Sequence, residues 1–467
     1  MKRIAAALLA LGISFGASAQ KEEIVKTGLN FGPLPIVGYD ADKGFQYGAS
    51  LSVYDYGDGT SYPNYNSKTY LETSFTSKGT SYYCLTHDNK ALIPGVRWSS
   101  ALSLIIDKAM DFYGFNGYTS WIDQERLAAG DANRKETQDP AMYKFTPYYR
   151  FDRFMVLGKS DFTGRITDNL SWEAGYHFML FRQNPIDRAS LNKGKPDYDI
   201  YPDSMPTLFE QYRQWGLISD EEADGGIVSS VRLGLMYDTR DKEGAPTRGT
   251  WAEGHLIAAP RFLGSTIGFS RLSATFRQYY PIVENDVLTF AYRLNYEGTI
   301  GRTSPYYVLP FMTVMGENFD KEGMGSYRTV RGILRGRAVG LDMATCNAEL
   351  RWRFTHFRFR RQNIALGLSA FSDGTMVTRG RDMSYAGKPD LSSSANHEPA
   401  YNYYMGKGRG KDMPHVTFGS GFRFIMNENF IVAFEYGTPL THLMKKTNPL
   451  YNQDGTGAFY INIGYLF

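Results

Sequence analysis

Cys84 and Cys346 are the only two cysteines in this chain of 467 residues. They fall in separate strand-like segments, far apart in sequence, and read as free, packed thiols rather than a disulfide framework. Histidine is sparse as well, and His87, His177, His255, His356, His397, His415 and His442 are scattered. No H-E-x-x-H, no Cys/His metal spacing and no G-x-S-x-G elbow occurs. No catalytic residue, cofactor or metal is therefore expected, and enzyme chemistry is set aside. The stretch Gly406-Lys407-Gly408-Arg409-Gly410-Lys411 has phosphate-loop residues but no strand–loop–helix setting, and reads as a flexible basic loop. Charge of one sign is lacking too. The formal net charge of +3 falls to +1 without Lys2 and Arg3, so no nucleic-acid partner is implied. Finally, no apolar run approaches the roughly 20 residues of a membrane-spanning helix.

The first residues are patterned for export. Lys2 and Arg3 precede an apolar stretch, Ile4 to Ile13, and Ala17-Ser18-Ala19 forms an A-x-A cleavage site. No cysteine follows that site, which argues against a lipoprotein. The expected domains are a signal peptide at 1–19 and a single mature unit at 20–467. Aromatics make up 15% of the chain, with 34 tyrosines and 48 glycines. Only helices and closed barrels satisfy every backbone polar group in lipid. An exported, tyrosine- and glycine-rich chain without spanning helices is thus either a membrane barrel or a soluble all-β protein.

Alternation decides for the barrel. Strands that cross a membrane place apolar residues toward lipid and polar ones toward the lumen over about 9 to 11 positions. Leu288, Phe290, Tyr292, Leu294 and Tyr296 alternate with Thr289, Arg293, Asn295 and Glu297. In 344–354, Ala344, Cys346, Ala348, Leu350, Trp352 and Phe354 alternate with Thr345, Asn347, Glu349, Arg351 and Arg353. In 416–424, Val416, Phe418, Phe422 and Phe424 oppose Thr417, Gly419, Gly421 and Arg423. The end repeats the rule, since Phe459, Ile461, Ile463, Tyr465 and Phe467 share one face. Arginines at successive inward positions do not suit the core of a soluble sandwich.

Sixteen strands are expected, at 28–38, 44–55, 67–78, 80–87, 95–108, 142–166, 169–182, 227–238, 249–260, 268–281, 286–299, 342–357, 362–373, 415–427, 430–439 and 457–467. Arg150, Asp152 and Arg153 interrupt the sixth, which is taken as one long strand with an outward extension. Bacterial barrels keep periplasmic turns short and extracellular loops long. The long connections 109–141, 183–226, 300–341, 374–414 and 440–456 all fall on the same side, which supports an all-β, sixteen-stranded antiparallel barrel in the bacterial outer membrane. Residue 467 is expected to pair near the first strand.

Three short motifs, in order, resemble the BamA/TamA superfamily of outer-membrane assembly and translocation barrels, the bacterial surface antigen family. Val330-Arg331-Gly332-Ile333 is similar to that family's V-R-G-F/Y, with isoleucine in place of the aromatic. Asn347-Ala348-Glu349-Leu350 is similar to its conserved-glutamate strand, and Phe371-Ser372-Asp373-Gly374 to its F-x-D-x-G. Tyr237-Asp238-Thr239-Arg240-Asp241 with Pro246-Thr247-Arg248-Gly249 resembles a hairpin common in these barrels. The resemblance implies that the sixth extracellular loop folds into the lumen and that Arg331 docks on Glu349 and Asp373. Both acids, with Phe371, have inward parity.

Members of that family usually carry periplasmic transport-associated domains ahead of the barrel. Only Gln20 to Thr27 precede the first strand here, so a member without those domains is expected, working with a separate periplasmic partner. Other expected partners are outer-membrane lipid and, during biogenesis, the outer-membrane assembly machinery, which reads terminal aromatics such as Tyr465 and Phe467. Gly457 and Gly464 loosen the last strand and mark a seam against the first. Two functions follow: assisted insertion or translocation of protein or lipid at that seam, or a passive channel or structural protein keeping only the fold.

Overall fold

The computed structural model describes residues 25–40, 43–62, 64–127, 146–196, 200–283, 286–359, 362–383, 411–426, 430–463 and 466–467. The proposed leader 1–19 and the basic stretch 406–410 lie outside them. Strand follows strand in antiparallel order around one closed barrel. The barrel strands are β1 Leu29–Asp40, β2 Gly44–Asp55, β3 Ser67–Thr76, β4 Thr80–Ile93, β5 Val96–Asp111, β6 Arg150–Arg165, β7 Leu170–Asn184 and β8 Gly225–Asp238. They continue as β9 Gly249–Ala259, β10 Phe269–Val283, β11 Leu288–Ile300, β12 Asp342–Phe359, β13 Gln362–Arg379, β14 His415–Met426, β15 Phe430–Pro439 and β16 Ala458–Ile463.

The two-residue period explains the wall. Along β11, Leu294 and Tyr296 are exposed to the outside while Arg293, Asn295 and Glu297 are buried toward the lumen. Leu233 and Leu235 of β8, Leu256 of β9, Leu350 of β12 and Phe418 and Phe422 of β14 extend the exposed apolar band. In water such a band would drive aggregation; in lipid it is the solvated surface. Both cysteines are free, Cys84 buried and Cys346 on the exposed face.

Several strand expectations need correction: β4 runs on to Ile93 and β13 to Arg379, each beyond the end expected. The sixth strand begins at Arg150 rather than 142, after a short 3-10 turn at Thr146–Tyr149. Tyr148 and Tyr149 leave the ladder because they are buried in an aromatic core formed by the loops. Arg153 does not interrupt this strand. It faces the lumen, where it meets Glu322 and, at 3.4 Å, Asp107.

The closing strand is also shorter than 457–467. Gly457 sits before it with φ near +104°, a left-handed turn that suits glycine. Gly464 and Tyr465 lie outside the described residues. Residue 467 does not pair with β1. Leu466 and Phe467 are buried inside the barrel against Tyr279 and Ala291. Arg351 donates to the Phe467 carbonyl at 2.8 Å, and Lys321 to that of Leu466 at 2.6 Å. The guanidinium carbons of Arg293 and Arg351 lie 5.3 and 5.1 Å from the Phe467 ring centre. A terminal apolar pair thus gains burial and cation–π contact instead of a place on the lipid face.

The outer end is capped. Phe112 and Phe115 after β5, Phe209 and Tyr212 between β7 and β8, and Tyr306 after β11 pack together, with ring centres 5.1–6.2 Å apart. Three extracellular loops thereby build one hydrophobic core over the mouth. A capping box at Thr207 and Glu210 starts the helix Leu208–Gln214 that carries two of these rings.

Candidate functional site

The segment after β11 enters the lumen instead of staying outside. It forms a two-residue ladder, Phe311–Met312 with Lys321–Glu322. Inward-facing wall residues hold it throughout. Arg232 of β8 grips Asp320 through two hydrogen bonds of 2.8 and 2.7 Å. Glu297 of β11 accepts from the Thr313 backbone at 2.9 Å. Asp107 of β5 accepts from Arg335 at 2.9 Å. Planar guanidinium–carboxylate pairs of this kind keep their geometry where water is excluded.

The tip of the segment is Val330-Arg331-Gly332, and Val330 and Arg331 are fully buried. Arg331 donates through Nε and Nη2 to the two oxygens of Asp373, at 2.8 and 3.1 Å. Its own backbone N–H also donates to Asp373, at 3.0 Å. Nη1 reaches Glu349 at 2.8 Å and Glu435 at 2.6 Å. The guanidinium lies 3.5 Å over the Phe371 ring.

Three carboxylates around one arginine would repel each other, and two more arginines offset them. Arg423 reaches both Glu349 and Glu435 at 2.8 Å, and Arg351 reaches Glu349 at 3.0 Å. The cluster is balanced, three guanidiniums against three carboxylates. Burial by itself would lower the Arg331 pKa, but Asp373, Glu435 and Glu349 outweigh it and hold the group firmly charged.

Two glycines on the wall make room. A Cβ on Gly419 would lie 2.2 Å from the Phe371 ring, and one on Gly437 only 2.9 Å from the Arg331 carbonyl oxygen. Gly332 itself has φ near +93°, and its Cβ would meet the Gly437 backbone at 2.6 Å. Its N–H donates to the Tyr460 hydroxyl at 3.0 Å. The tip therefore touches β15 and β16, beside the seam. Ile333 is buried in place of the aromatic.

The sequence motifs named Arg331, Glu349, Phe371 and Asp373, and these four lie together. Glu435, Arg423 and Arg351 were not named. Arg351 and Arg423 were visible as inward positions, but parity does not tell which wall residues a loop will meet. Of the residues assigned to the seam, Gly457 precedes β16 and Phe467 is in the lumen. Among the described residues β16 meets β1 at two register pairs, Tyr39 with Ile461 and Asp40 with Tyr460. Val432 to Gly437 of β15, in contrast, pair with six residues of β16. On the lipid face Tyr39 and Phe459 bridge the seam, 6.4 Å between rings.

One further group could in principle hold a cation. Glu173, Glu253 and His255 are buried in the lumen with ligand atoms within 4.8 Å. Each carboxylate is already engaged, Glu173 with His255 at 2.7 Å and Glu253 with Arg277 at 3.1 Å. The group reads as a hydrogen-bonded part of the wall.

A sixteen-stranded barrel with an apolar outer band is a β-barrel protein of the bacterial outer membrane. The Omp85 superfamily domain is matched over residues 113–467, and the chain belongs to that superfamily. No curated protein matches the chain in sequence. Among solved structures it is similar to BamA from Haemophilus ducreyi lacking POTRA domains 1–3, with 13% identity, a TM-score of 0.50, 94% of this chain and 70% of that one. It is also similar to CdiB from Escherichia coli, with 10% identity, a TM-score of 0.51, 95% of this chain and 64% of that one. At such identities the likeness is one of fold.

Proposed function

We propose that this barrel assists insertion or translocation of protein or lipid at the outer membrane, and that its activity lies at the β1–β16 seam. The seam carries this reading: among the described residues two register pairs join β1 to β16, where β15 and β16 share six. The filled lumen and capped mouth argue against a passive channel. In this reading Val330, Arg331 and Gly332 are a fixed latch. They lock the inward loop to Glu349, Phe371 and Asp373 and brace β15 and β16, leaving the first strands free to part from the last. No step requires catalysis, so the barrel is read as non-enzymatic. A cleaved leader at 1–19, a separate periplasmic partner and engagement of the assembly machinery by the C-terminal residues belong to the same proposal.

A disulfide across the seam tests it. Cysteines replacing Val37 and Ile463, with Cys84 and Cys346 changed to serine, should assemble and then abolish the protein's cellular role when oxidised. Reduction should restore it. A locked, correctly assembled barrel that keeps its role would exclude lateral passage and leave the channel or structural reading.

A further inference from the structure

We propose that the outer rim of β9, β10 and β11 holds a phosphorylated lipid of the outer leaflet, with Arg261 and Arg302 on its phosphate. The site lies away from the seam and stands whether or not the seam opens.

Its floor follows from the register. Ser270 of β10 pairs with Ala258 of β9 on one side and with Ile300 of β11 on the other. All three share the parity of Leu256, Leu272 and Leu294, which are exposed on the outer face. Ala258 and Ser270 are small where those neighbours are large, and a cavity of about 420 Å³ opens over them. Pro260 and Arg261 of the β9–β10 connection wall it on one side, Arg302 and Thr303 after β11 on the other. Among the described residues that line it there is no carboxylate.

The depth of the cavity in the membrane can be counted along the wall. Near the periplasmic end of β10 and β11, Tyr280 and Tyr292 stack with 6.4 Å between ring centres. Such rings mark the interface of a barrel with its membrane. Ser270 lies ten residues from Tyr280 along β10, and a crossing strand uses about 9 to 11. The cavity therefore sits where the hydrocarbon of the outer leaflet gives way to headgroups. The β9–β10 connection agrees, since Phe262 beside Arg261 is 87% exposed. An aromatic ring turned outward next to an arginine suits that boundary.

The charges are placed to receive a phosphate. Arg302 makes no hydrogen bond or ion pair with the protein, and its side chain is exposed. Arg261 meets Glu221 at 2.6 Å, with both side chains exposed. A surface pair of this kind contributes little and leaves further guanidinium donors for a ligand. Asp342, at the same end of the wall, is held by Arg379 at 2.7 Å and does not compete. Two guanidiniums with spare donors above a small-residue floor fit a phosphate, which accepts paired N–H bonds. Acyl chains of the same lipid then continue down the exposed face past Leu256 and Leu272.

The test is native mass spectrometry of the intact protein in detergent, titrated with lipid A, a phosphorylated lipid of the bacterial outer leaflet. Saturable binding is expected. Lipid A stripped of its phosphates should bind roughly tenfold more weakly or worse, the factor of one charge-assisted hydrogen bond. Arg261→Gln with Arg302→Gln should lose the same factor while the barrel keeps its heat-modifiable migration, because both side chains lie on the surface. If the double variant fails to assemble, Arg302→Gln alone carries the comparison. Ser270→Trp fills the floor without altering charge and should weaken lipid A to a similar degree. Equal affinity for the two forms of lipid A, or unchanged affinity in any of these variants, overturns the proposal. Millimolar inorganic phosphate should leave lipid A bound, and displacement by it would mark a free-anion site in place of a lipid site.

Discussion

At the scale of single residues the barrel depends on Arg331. Its guanidinium makes four hydrogen bonds, two to the oxygens of Asp373 and one each to Glu349 and Glu435. Arg331→Ala strands acids in a dry lumen, and breaking such a buried set costs about 3–5 kcal/mol. The expected outcome is a lower midpoint in heat-modifiability gels and less barrel in the membrane. Arg331→Lys should recover little, because an ammonium cannot span three carboxylates with the fork of a guanidinium. Full recovery by lysine would mean that charge alone, not geometry, holds the tip. Gly332 gives a second test. Alanine there needs a left-handed backbone, costing about 1–2 kcal/mol, and also collides with the Gly437 backbone. Gly332→Ala should therefore lower the same midpoint although it removes no ion pair, and an unchanged midpoint would show that the tip can shift away from β15.

At the scale of elements, most strands were legible because the side-chain period of two is imposed residue by residue. β10, β11 and β12 follow it through their middles, breaking only near their ends, as at Pro281 and between Arg353 and Thr355. What sequence could not show was where tertiary contact overrides the period. The alternation through Phe467 continues past the point where the chain leaves the wall, because burial against Tyr279 and Ala291 depends on strands far away in sequence. Phe112, Phe115 and Phe209 belong to loops with no period at all, so their common core was invisible. The Arg331 partners on β12 and β13 were readable through motifs, whereas Glu435 lies on a strand without one.

The outer loops carry another contact of this kind. His415, at the start of β14, lies between Asp454 at 2.6 Å and Asp412 at 3.3 Å, with the Tyr118 ring stacked 3.9 Å away. Burial alone would raise both loop carboxyls. His415 outweighs it, and both sit below their ordinary value of 3.8. Groups with a depressed folded pKa stabilise fully above the unfolded value and lose that contribution as pH falls through the folded one. The outer loops should thus resist added protease at pH 7 and pH 5 and become cleavable only below about pH 4. Opening between pH 7 and pH 5 would point to a different latch.

For the molecule as a whole, the decisive contrast is between a wall wide enough for water and a lumen with little room left. A barrel of about sixteen strands encloses an aqueous channel when nothing fills it. Here residues 311–337 bond to inward-facing positions on β5, β6, β8, β11, β12, β13, β15 and β16, and the aromatic core of the loops closes the outer mouth. In a planar bilayer the intact protein is expected to show no steady open-pore current. Removing 311–337 and rejoining the flanks with a short glycine–serine linker should produce a large, weakly selective conductance, if the barrel assembles. Arg331→Ala, which keeps the loop but frees its tip, should give brief, partial openings between these limits. The three proteins separate the two functional readings. A steady current from the intact barrel would make it a channel and leave the β1–β16 contact as a structural detail. A silent intact barrel beside a conducting deletion would show that the inward segment fills the lumen, and would favour passage to the bilayer at the contact of β1 with β16, as proposed.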